Sequence, residues 1–115
     1  MKKGNWVGAV LLLCLSASAV AAPCTAEVEN ESAKLSGNHF YTSWHVRRSG
    51  GGQIVKVYFE YRIQYRNKRG TTLAESGVFN EYLRGASGQF AKENTSSSDP
   101  VEILSVEYNR VACHD

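Results

Sequence analysis

The chain has 115 residues, of which 43% are hydrophobic and 21% charged, with 13 Lys and Arg against 11 Asp and Glu for a formal net charge of +2. This length and composition fit one small globular domain. The small net charge gives no electrostatic reason to expect a nucleic-acid or membrane-surface partner, and we predict neither.

The N-terminal segment, residues 1–21, is predicted to be a bacterial secretory signal peptide. Lys2 and Lys3 supply its positive start, Val7–Leu15 its apolar stretch, and Ala19-Val20-Ala21 the small residues of a cleavage site. The apolar stretch is shorter than the roughly 20 residues of a spanning helix, so an uncleaved membrane anchor is the less favoured alternative. We expect a periplasmic or secreted protein without membrane attachment after cleavage.

Cleavage would leave a single domain, residues 22–115, with 11 basic and 11 acidic side chains because Lys2 and Lys3 are removed. Two cysteines also remain, Cys24 and Cys113, one near each end. An even number of cysteines in an exported chain favours a disulfide between them. Two free thiols or two metal ligands are the alternatives, although a zinc site would require a C-x-x-C spacing or a nearby His pair.

In the first half of this domain, apolar and polar residues alternate as they do in β-strands. Thr25–Glu31, which contains three glutamates, is predicted to be an edge strand or an ordered N-terminal arm held by Cys24, and His39–Arg48 a second strand. One face of the second strand would carry Phe40, Thr42, Trp44 and Val46. Ser49–Gly52 contains three glycines and predicts a hairpin to the next strand.

The longest alternation runs from Gln53 to Arg66 and predicts a central, half-buried strand. Six apolar or aromatic side chains share one of its faces: Val55, Val57, Phe59, Tyr61, Ile63 and Tyr65. Such a strand would be roughly 45 Å long if fully extended. Because this exceeds the width of so small a domain, we expect the strand either to bend between sheets or to project. A projecting strand beside three glycines makes a strand-exchanged homodimer a hypothesis.

Shorter strands follow, separated by turns: Thr71–Glu75, Val78–Leu83, Gln89–Lys92 with Phe90 inward, and Val101–Cys113. In the last strand Leu104, Val106 and Tyr108 share a face, and a β-bulge at Asn109-Arg110 would return Val111 and Cys113 to that face. About seven short strands with frequent turns predict an all-β fold, a small immunoglobulin- or fibronectin type III-like antiparallel sandwich.

Short motifs resemble those of small secreted enterobacterial proteins with a fibronectin type III-like fold, of the interleukin receptor mimic type. The similar segments are Gly37–Thr42, the turn Lys68-Arg69-Gly70 and the C-terminal Val106–Cys113. The resemblance implies a fibronectin-like sandwich, dimerisation by strand exchange, and binding of host cytokines or their receptors. The chain differs from that family in having no cysteine in the central strand.

Six residues are predicted to form a partner-binding surface: Arg47, Tyr58, Arg62, Arg66, Lys68 and Arg69. A tyrosine near arginines on a polar strand face is typical of a protein-binding hot spot. The alternative is that the arginines pair with glutamates of neighbouring strands, namely Glu60, Glu102 and Glu107.

No catalytic motif is recognisable, and we predict a non-enzymatic protein with no catalytic residues, no metal and no cofactor. His39 and His45 are roughly 20 Å apart along one strand, too far to bind one metal ion.

The favoured functional hypothesis is therefore an exported module that binds another protein, whose identity the sequence does not give. The alternatives are a periplasmic inhibitor or immunity protein against a secreted hydrolase, and a surface coat accessory protein. An inhibitor would insert a loop such as Arg84–Gly88 or Asn94–Pro100 into the hydrolase.

Overall fold

The computed structural model describes residues 23–115, which contain six β-strands and no helix. In chain order the strands are β1 (Thr25–Ser36), β2 (His39–Ser49), β3 (Val55–Asn67), β4 (Thr72–Leu83), β5 (Ser87–Thr95) and β6 (Pro100–His114). The predicted signal peptide, residues 1–21, lies outside the described residues.

The strands form two antiparallel sheets of three strands each. Sheet A has the order β1–β2–β5 and sheet B the order β4–β3–β6. The buried side chains of both sheets form one core between them, so the predicted all-β antiparallel sandwich is confirmed. The prediction of about seven strands is wrong by one, because the two short strands placed on either side of Gly77 are a single strand, β4.

Gly77 lies inside β4, between these two segments, and its lack of a side chain leaves room for a neighbouring aromatic ring. It lies opposite Tyr61 of β3, and a Cβ atom at position 77 would lie 2.4 Å from Cζ of the Tyr61 ring. A glycine that interrupts an alternating pattern can mark either a break or a close approach between side chains. Here it marks a close approach inside a continuous strand.

Gly77→Ala is expected to destabilise the domain by about 1–3 kcal/mol, because the buried Tyr61 ring must shift to admit the methyl group. The measurement is urea denaturation followed by tryptophan fluorescence. Gly85→Ala is the matched control, since the nearest atom to its added Cβ is 4.0 Å away. Equal stability of the two variants would show that the Tyr61 contact does not constrain position 77.

The predicted hairpin between the second and third strands is wrong, because β2 and β3 belong to different sheets. Both strands carry a strongly apolar face, and because the strands lie in opposite sheets, these two faces can pack against each other. The connection 50–54 crosses between the sheets. β3 remains in sheet B over its length, paired with β4 on one edge and β6 on the other, so it neither changes sheets nor projects.

The inward faces of β2 and β3 are those predicted, and they form the centre of the core. All six predicted residues of β3 and the four of β2 are buried. Trp44 is fully buried, with its ring centroid 4.9 Å from that of Phe59 and 5.3 Å from that of Tyr61. The predicted inward residue Phe90 packs edge-on against Phe79 at 5.0 Å. Tilted and edge-on geometry of this kind is the favourable one for aromatic rings.

Polar atoms within this aromatic core have hydrogen-bond partners. Trp44 Nε1 donates to Thr42 Oγ1 at 2.9 Å, and the Tyr61 hydroxyl donates to Asn94 Oδ1 at 2.6 Å. The Tyr65 hydroxyl shares a hydrogen bond of 2.8 Å with the buried Ser96 hydroxyl. Burial raises the pKa of Tyr61, so this phenol contributes stability below its unfolded pKa near 10 that is lost as the pH rises through its raised folded value.

The last strand, β6, contains three register shifts on its β3 partner. The bulge predicted at Asn109-Arg110 is confirmed, since Arg110 has a φ of 58° and the register shifts there. Val106 and Tyr108 share the inward face as predicted, opposite Ile63 and Tyr61. Cys113 also returns to it, but the prediction for Val111 is wrong, because this residue lies within the bulge and is 37% exposed. The prediction for Leu104 is wrong: a second bulge turns its side chain outward, 40% exposed, and Ile103 packs against the core in its place.

A disulfide joins Cys24 and Cys113, as predicted, with their Cα atoms 5.4 Å apart and 89 residues of sequence separation. It ties the start of β1 in sheet A to the end of β6 in sheet B. Because it closes a loop of nearly the whole domain, the chain-entropy estimate of its stabilisation is about 4 to 5 kcal/mol, as an upper figure.

The same end of the sandwich is held by the guanidinium of Arg48. Its five N–H donors all meet backbone carbonyl oxygens: those of Gly50, Gly52, Gln53, Arg84 and Gly85, at 2.5–3.1 Å. These carbonyls belong to the β2–β3 and β4–β5 connections, two of the three crossings between the sheets. The Arg48 side chain therefore binds both of these loops, which are not paired with any strand.

Arg48→Lys is expected to lower the free energy of unfolding by about 1–3 kcal/mol, because an ammonium has three donors in a different geometry and would leave carbonyls unpaired. Chemical denaturation measures this loss. In the control Arg47→Lys, the side chain contacts only Glu27 at the surface, so a change within about 0.5 kcal/mol is expected. Similar losses in both variants would contradict a special role for Arg48.

Candidate functional site

The predicted site residues of β3 lie on the side of sheet B that points away from sheet A, here called the outer face. Tyr58, Arg62 and Arg66 follow one another along this side. In the neighbouring strands they lie opposite small or polar side chains: Asn80 and Ala112 beside Tyr58, Ser76 and Glu107 beside Arg62, and Thr72 and Glu102 beside Arg66.

Two more predicted residues continue this surface, and one does not. Lys68 and Arg69 form the exposed tip of the β3–β4 turn. Arg47 belongs to β2, on the solvent side of sheet A, where its Nη2 lies 3.2 Å from Glu27 Oε1. The structure therefore brings five of the six predicted residues to one side of the molecule and separates Arg47 from them.

The outer face is crossed by ion pairs between neighbouring strands: Arg62 with Glu107 at 2.9 Å, Arg66 with Glu102, and Arg110 with Glu60 at 3.3 Å. Two of these are pairings that the sequence offered as the alternative to a binding site. All six side chains are more than 40% exposed, and exposed pairs are worth about 0–1 kcal/mol each. Their main effect is to neutralise these three arginines, whereas Lys56, Lys68 and Arg69 form no ion pair among residues 23–115.

Tyr58 is half-buried and is held within this charged surface. Its hydroxyl donates to Glu60 Oε2 at 2.9 Å, and this hydrogen bond raises the pKa of Tyr58. Glu60 in turn accepts the hydrogen bond from the Tyr58 hydroxyl and pairs with Arg110.

A shallow groove of about 410 Å³ crosses the outer face. Each strand of sheet B contributes three consecutive residues to it: 76–78 of β4, 60–62 of β3 and 107–109 of β6. Its charged groups are Glu60, Arg62 and Glu107, which are all engaged in the pairs described above. The groove can thus receive a polar side chain of a partner, but it contains no unpaired acid beside an unpaired base.

Two exposed apolar residues on β4 were not recognised from the sequence. Val78 is 52% exposed and Tyr82 66% exposed, both on the outer face, and the Lys56 ammonium lies 5.4 Å from the Tyr82 ring centroid. The signal was present in the sequence, since residues 78–83 carry apolar side chains at both odd and even positions. An edge strand with apolar groups on both faces exposes one set unless a partner covers it.

The basic β3–β4 turn is rigid. The buried Asn67 accepts the backbone N–H groups of Arg69 and Thr71 at its Oδ1, at 3.0 and 2.9 Å. Gly70 donates to the Asn67 carbonyl and has a φ of +80°, which glycine adopts without strain. Lys68 and Arg69 are therefore presented on a fixed loop.

The histidines of β2 lie on the solvent side of sheet A. His39 Nδ1 lies 2.8 Å from Glu93 Oε2. Among residues 23–115, no group of three or more His, Cys, Asp or Glu side chains is arranged to bind a metal ion. No helix that could span a membrane occurs in this part of the chain.

Comparison of the chain with protein-family models, curated proteins and solved structures gave no match. The resemblance to fibronectin type III-like enterobacterial proteins therefore rests on the short motifs alone.

A double-mutant cycle of Arg62→Ala and Glu107→Ala is expected to give a coupling energy below about 1 kcal/mol, because both side chains are about half exposed. Urea denaturation of the wild type, both single variants and the double variant measures it. The loss of coupling at 1 M salt is the internal control. A coupling well above 1 kcal/mol would mean that the pair is structural and that the face is not free to contact a partner.

Proposed function

We propose that this chain is an exported, non-enzymatic protein-binding module that contacts its partner through the outer face of sheet B. The observation that carries the proposal is the exposure of Val78 and Tyr82 on β4, at the margin of a surface crossed by three ion pairs. Interfaces favour tyrosine, and their cores are depleted in unpaired charge.

The predicted residue Tyr58 extends this apolar margin toward the middle of the sheet. It pairs with Asn80, which lies between Val78 and Tyr82 on β4. The three side chains therefore occupy adjacent positions on one surface. The groove beside them, with Glu60 and Arg62 in its walls, supplies hydrogen-bonding groups that can fix the orientation of a partner.

The pairing of the carboxylates supports a non-enzymatic role. Glu60 and Glu107 are the carboxylates closest to an acid–base arrangement on this face, and each is engaged by an arginine. Hydrolytic carboxylate pairs need one member with a raised pKa and room for substrate between the two. An ion-paired surface serves recognition better than proton transfer.

Export and a fibronectin type III-like identity are parts of the same proposal. The disulfide is compatible with an oxidising compartment. In immunoglobulin-type sandwiches, strands A, B and E share one sheet while C and F share the other. Here β1, β2 and β5 share one sheet and β3 and β6 the other, which supports assigning them to those positions. On the motif resemblance, the partner would be a host cytokine or cytokine receptor.

A strand-exchanged homodimer remains a hypothesis. The segment that would have to open is the 50–54 crossing, where Gly50 and Gly51 have positive φ angles. Arg48 holds this crossing to its own domain, which favours the monomer. A monomer mass in light scattering at tens of micromolar would reject the hypothesis.

A periplasmic inhibitor is the second candidate, and one observation favours it. An inhibitory loop must be rigid before it binds, because ordering it would cost affinity. The β4–β5 loop meets this requirement, since Arg48 binds the carbonyls of Arg84 and Gly85. Inhibition of a secreted hydrolase that is lost in Arg84→Ala would support this candidate over the first.

Tyr82→Ala is expected to weaken binding of a captured partner at least tenfold, because a large exposed aromatic side chain at an interface is a typical hot spot. The mature protein is used for affinity capture from host serum and from bacterial periplasm, and the affinity of each captured protein is measured by calorimetry. Tyr41→Ala is the matched control, since Tyr41 is 44% exposed on the solvent side of sheet A. Equal affinity of the wild type and both variants would exclude the outer face.

A further inference from the structure

The two flanks of the sandwich are closed differently. On the flank of β1 and β6, the Cys24–Cys113 disulfide links the sheets and the Tyr108 hydroxyl donates to the Val28 carbonyl at 2.8 Å. On the flank of β4 and β5, no covalent bond links the sheets. The strands there meet through side chains only, such as Lys92 with Glu81 at 2.5 Å. The second backbone edge of β4 has no strand partner among residues 23–115, and the flank beside it contains this ion pair and the Phe79–Phe90 contact.

Among the four edge strands of the described residues, β4 has the longest regular edge. Its twelve residues pair with β3 without a register shift, whereas β1 has one irregularity and β6 has three. β5 is regular but has only nine residues. Bulges hinder the addition of another strand, and a long regular edge is a template for it. β4 also contains no proline or lysine, the residues that commonly block edges.

The side chains of β4 that point toward sheet A include two glutamates. Glu81 is paired with Lys92. Glu75 lies opposite Ile63, half-buried, and among residues 23–115 no cationic side chain lies within ion-pair distance of it. Inward-pointing charge on an edge strand discourages uncontrolled strand pairing. A strand added beside β4 would place one of its side chains next to the unpaired Glu75 carboxylate.

We propose that the open edge of β4 binds an extended peptide segment as a fourth strand of sheet B, and that Glu75 selects a lysine or arginine in that segment. Backbone hydrogen bonds would supply affinity, and alternate side chains specificity, as in other cases of strand addition. A second copy of this chain fits less well, because antiparallel pairing of two β4 strands would bring Glu75 and Glu81 of both copies to one side of the sheet. This inference rests on the proposed function and names the chemistry of its partner.

The probe is a pair of blocked seven-residue peptides, alternating Thr and Val, with either Lys or Glu at the centre. Affinities for the mature protein are measured by calorimetry, and the binding site is mapped from amide chemical shifts of the labelled protein. The Lys peptide is expected to bind about fivefold more tightly than the Glu peptide, from the size of cross-strand ion pairs. Glu75→Lys is expected to reverse this preference, while Glu29→Lys, on the opposite sheet, leaves it unchanged.

Two versions of the Lys peptide, N-methylated at odd or at even positions, test the pairing itself. One of them presents its methyl groups to β4 and is expected to lose binding, while the other retains it. The inference is overturned if the two N-methylated peptides bind equally or if neither parent peptide binds at 1 mM. It is also overturned if Glu75→Lys leaves the preference for the Lys peptide unchanged, or if the amide chemical-shift changes map away from β4. Should Tyr82→Ala still weaken a captured partner in those cases, the proposed function stands and only the edge assignment fails.

Discussion

The burial of Trp44 against Phe59 and Tyr61 is the interaction on which the rest of this fold depends. It joins the middle strand of one sheet to the middle strand of the other. Each middle strand then has both backbone edges occupied by its neighbours, so the other four strands take the outer positions. The connection between β2 and β3 must cross between layers as a consequence, and the glycines at 50 and 51, both with positive φ, together with the Arg48 guanidinium make that crossing compact.

A sandwich with three strands in each sheet has four backbone edges, and in this protein the four edges differ in structure. The β6 edge is interrupted by bulges that turn Val101, Leu104 and Val111 outward. The β1 edge lies beside the disulfide. β4 is left regular and long, with apolar side chains on its outer side and carboxylates on its inner side. The four edges differ because residue types are distributed differently along each strand. This difference is the reason why β4, and not another edge strand, is proposed to bind a peptide.

The charges of the outer face illustrate why a cluster of arginines in a sequence does not by itself indicate an acidic partner. Arg62 and Arg66 are each paired with a glutamate of β6, which neutralises their charge. What distinguishes this surface is its apolar margin, Val78 and Tyr82, and the carboxylate of Glu75 on the other side of the same strand. Recognition by such a surface would depend on shape, backbone hydrogen bonds and one charge rather than on long-range attraction.

The sequence was sufficient to predict the strand class, the buried faces of β2 and β3, the bulge at Arg110 and the pairing of the two cysteines. Each of these follows from local alternation or from counting, because side chains in a strand alternate with a period of two. It did not determine the crossing after β2, the continuity of β4 through Gly77, the outward turn of Leu104 or the separation of Arg47 from the other arginines. Those features depend on which strands share a sheet and in what register. Register is decided by residues of neighbouring strands that lie tens of positions apart in the chain. Only the packing of the core shows that the β2–β3 connection is a crossing and not a hairpin, and that Gly77 marks a close contact and not a strand break.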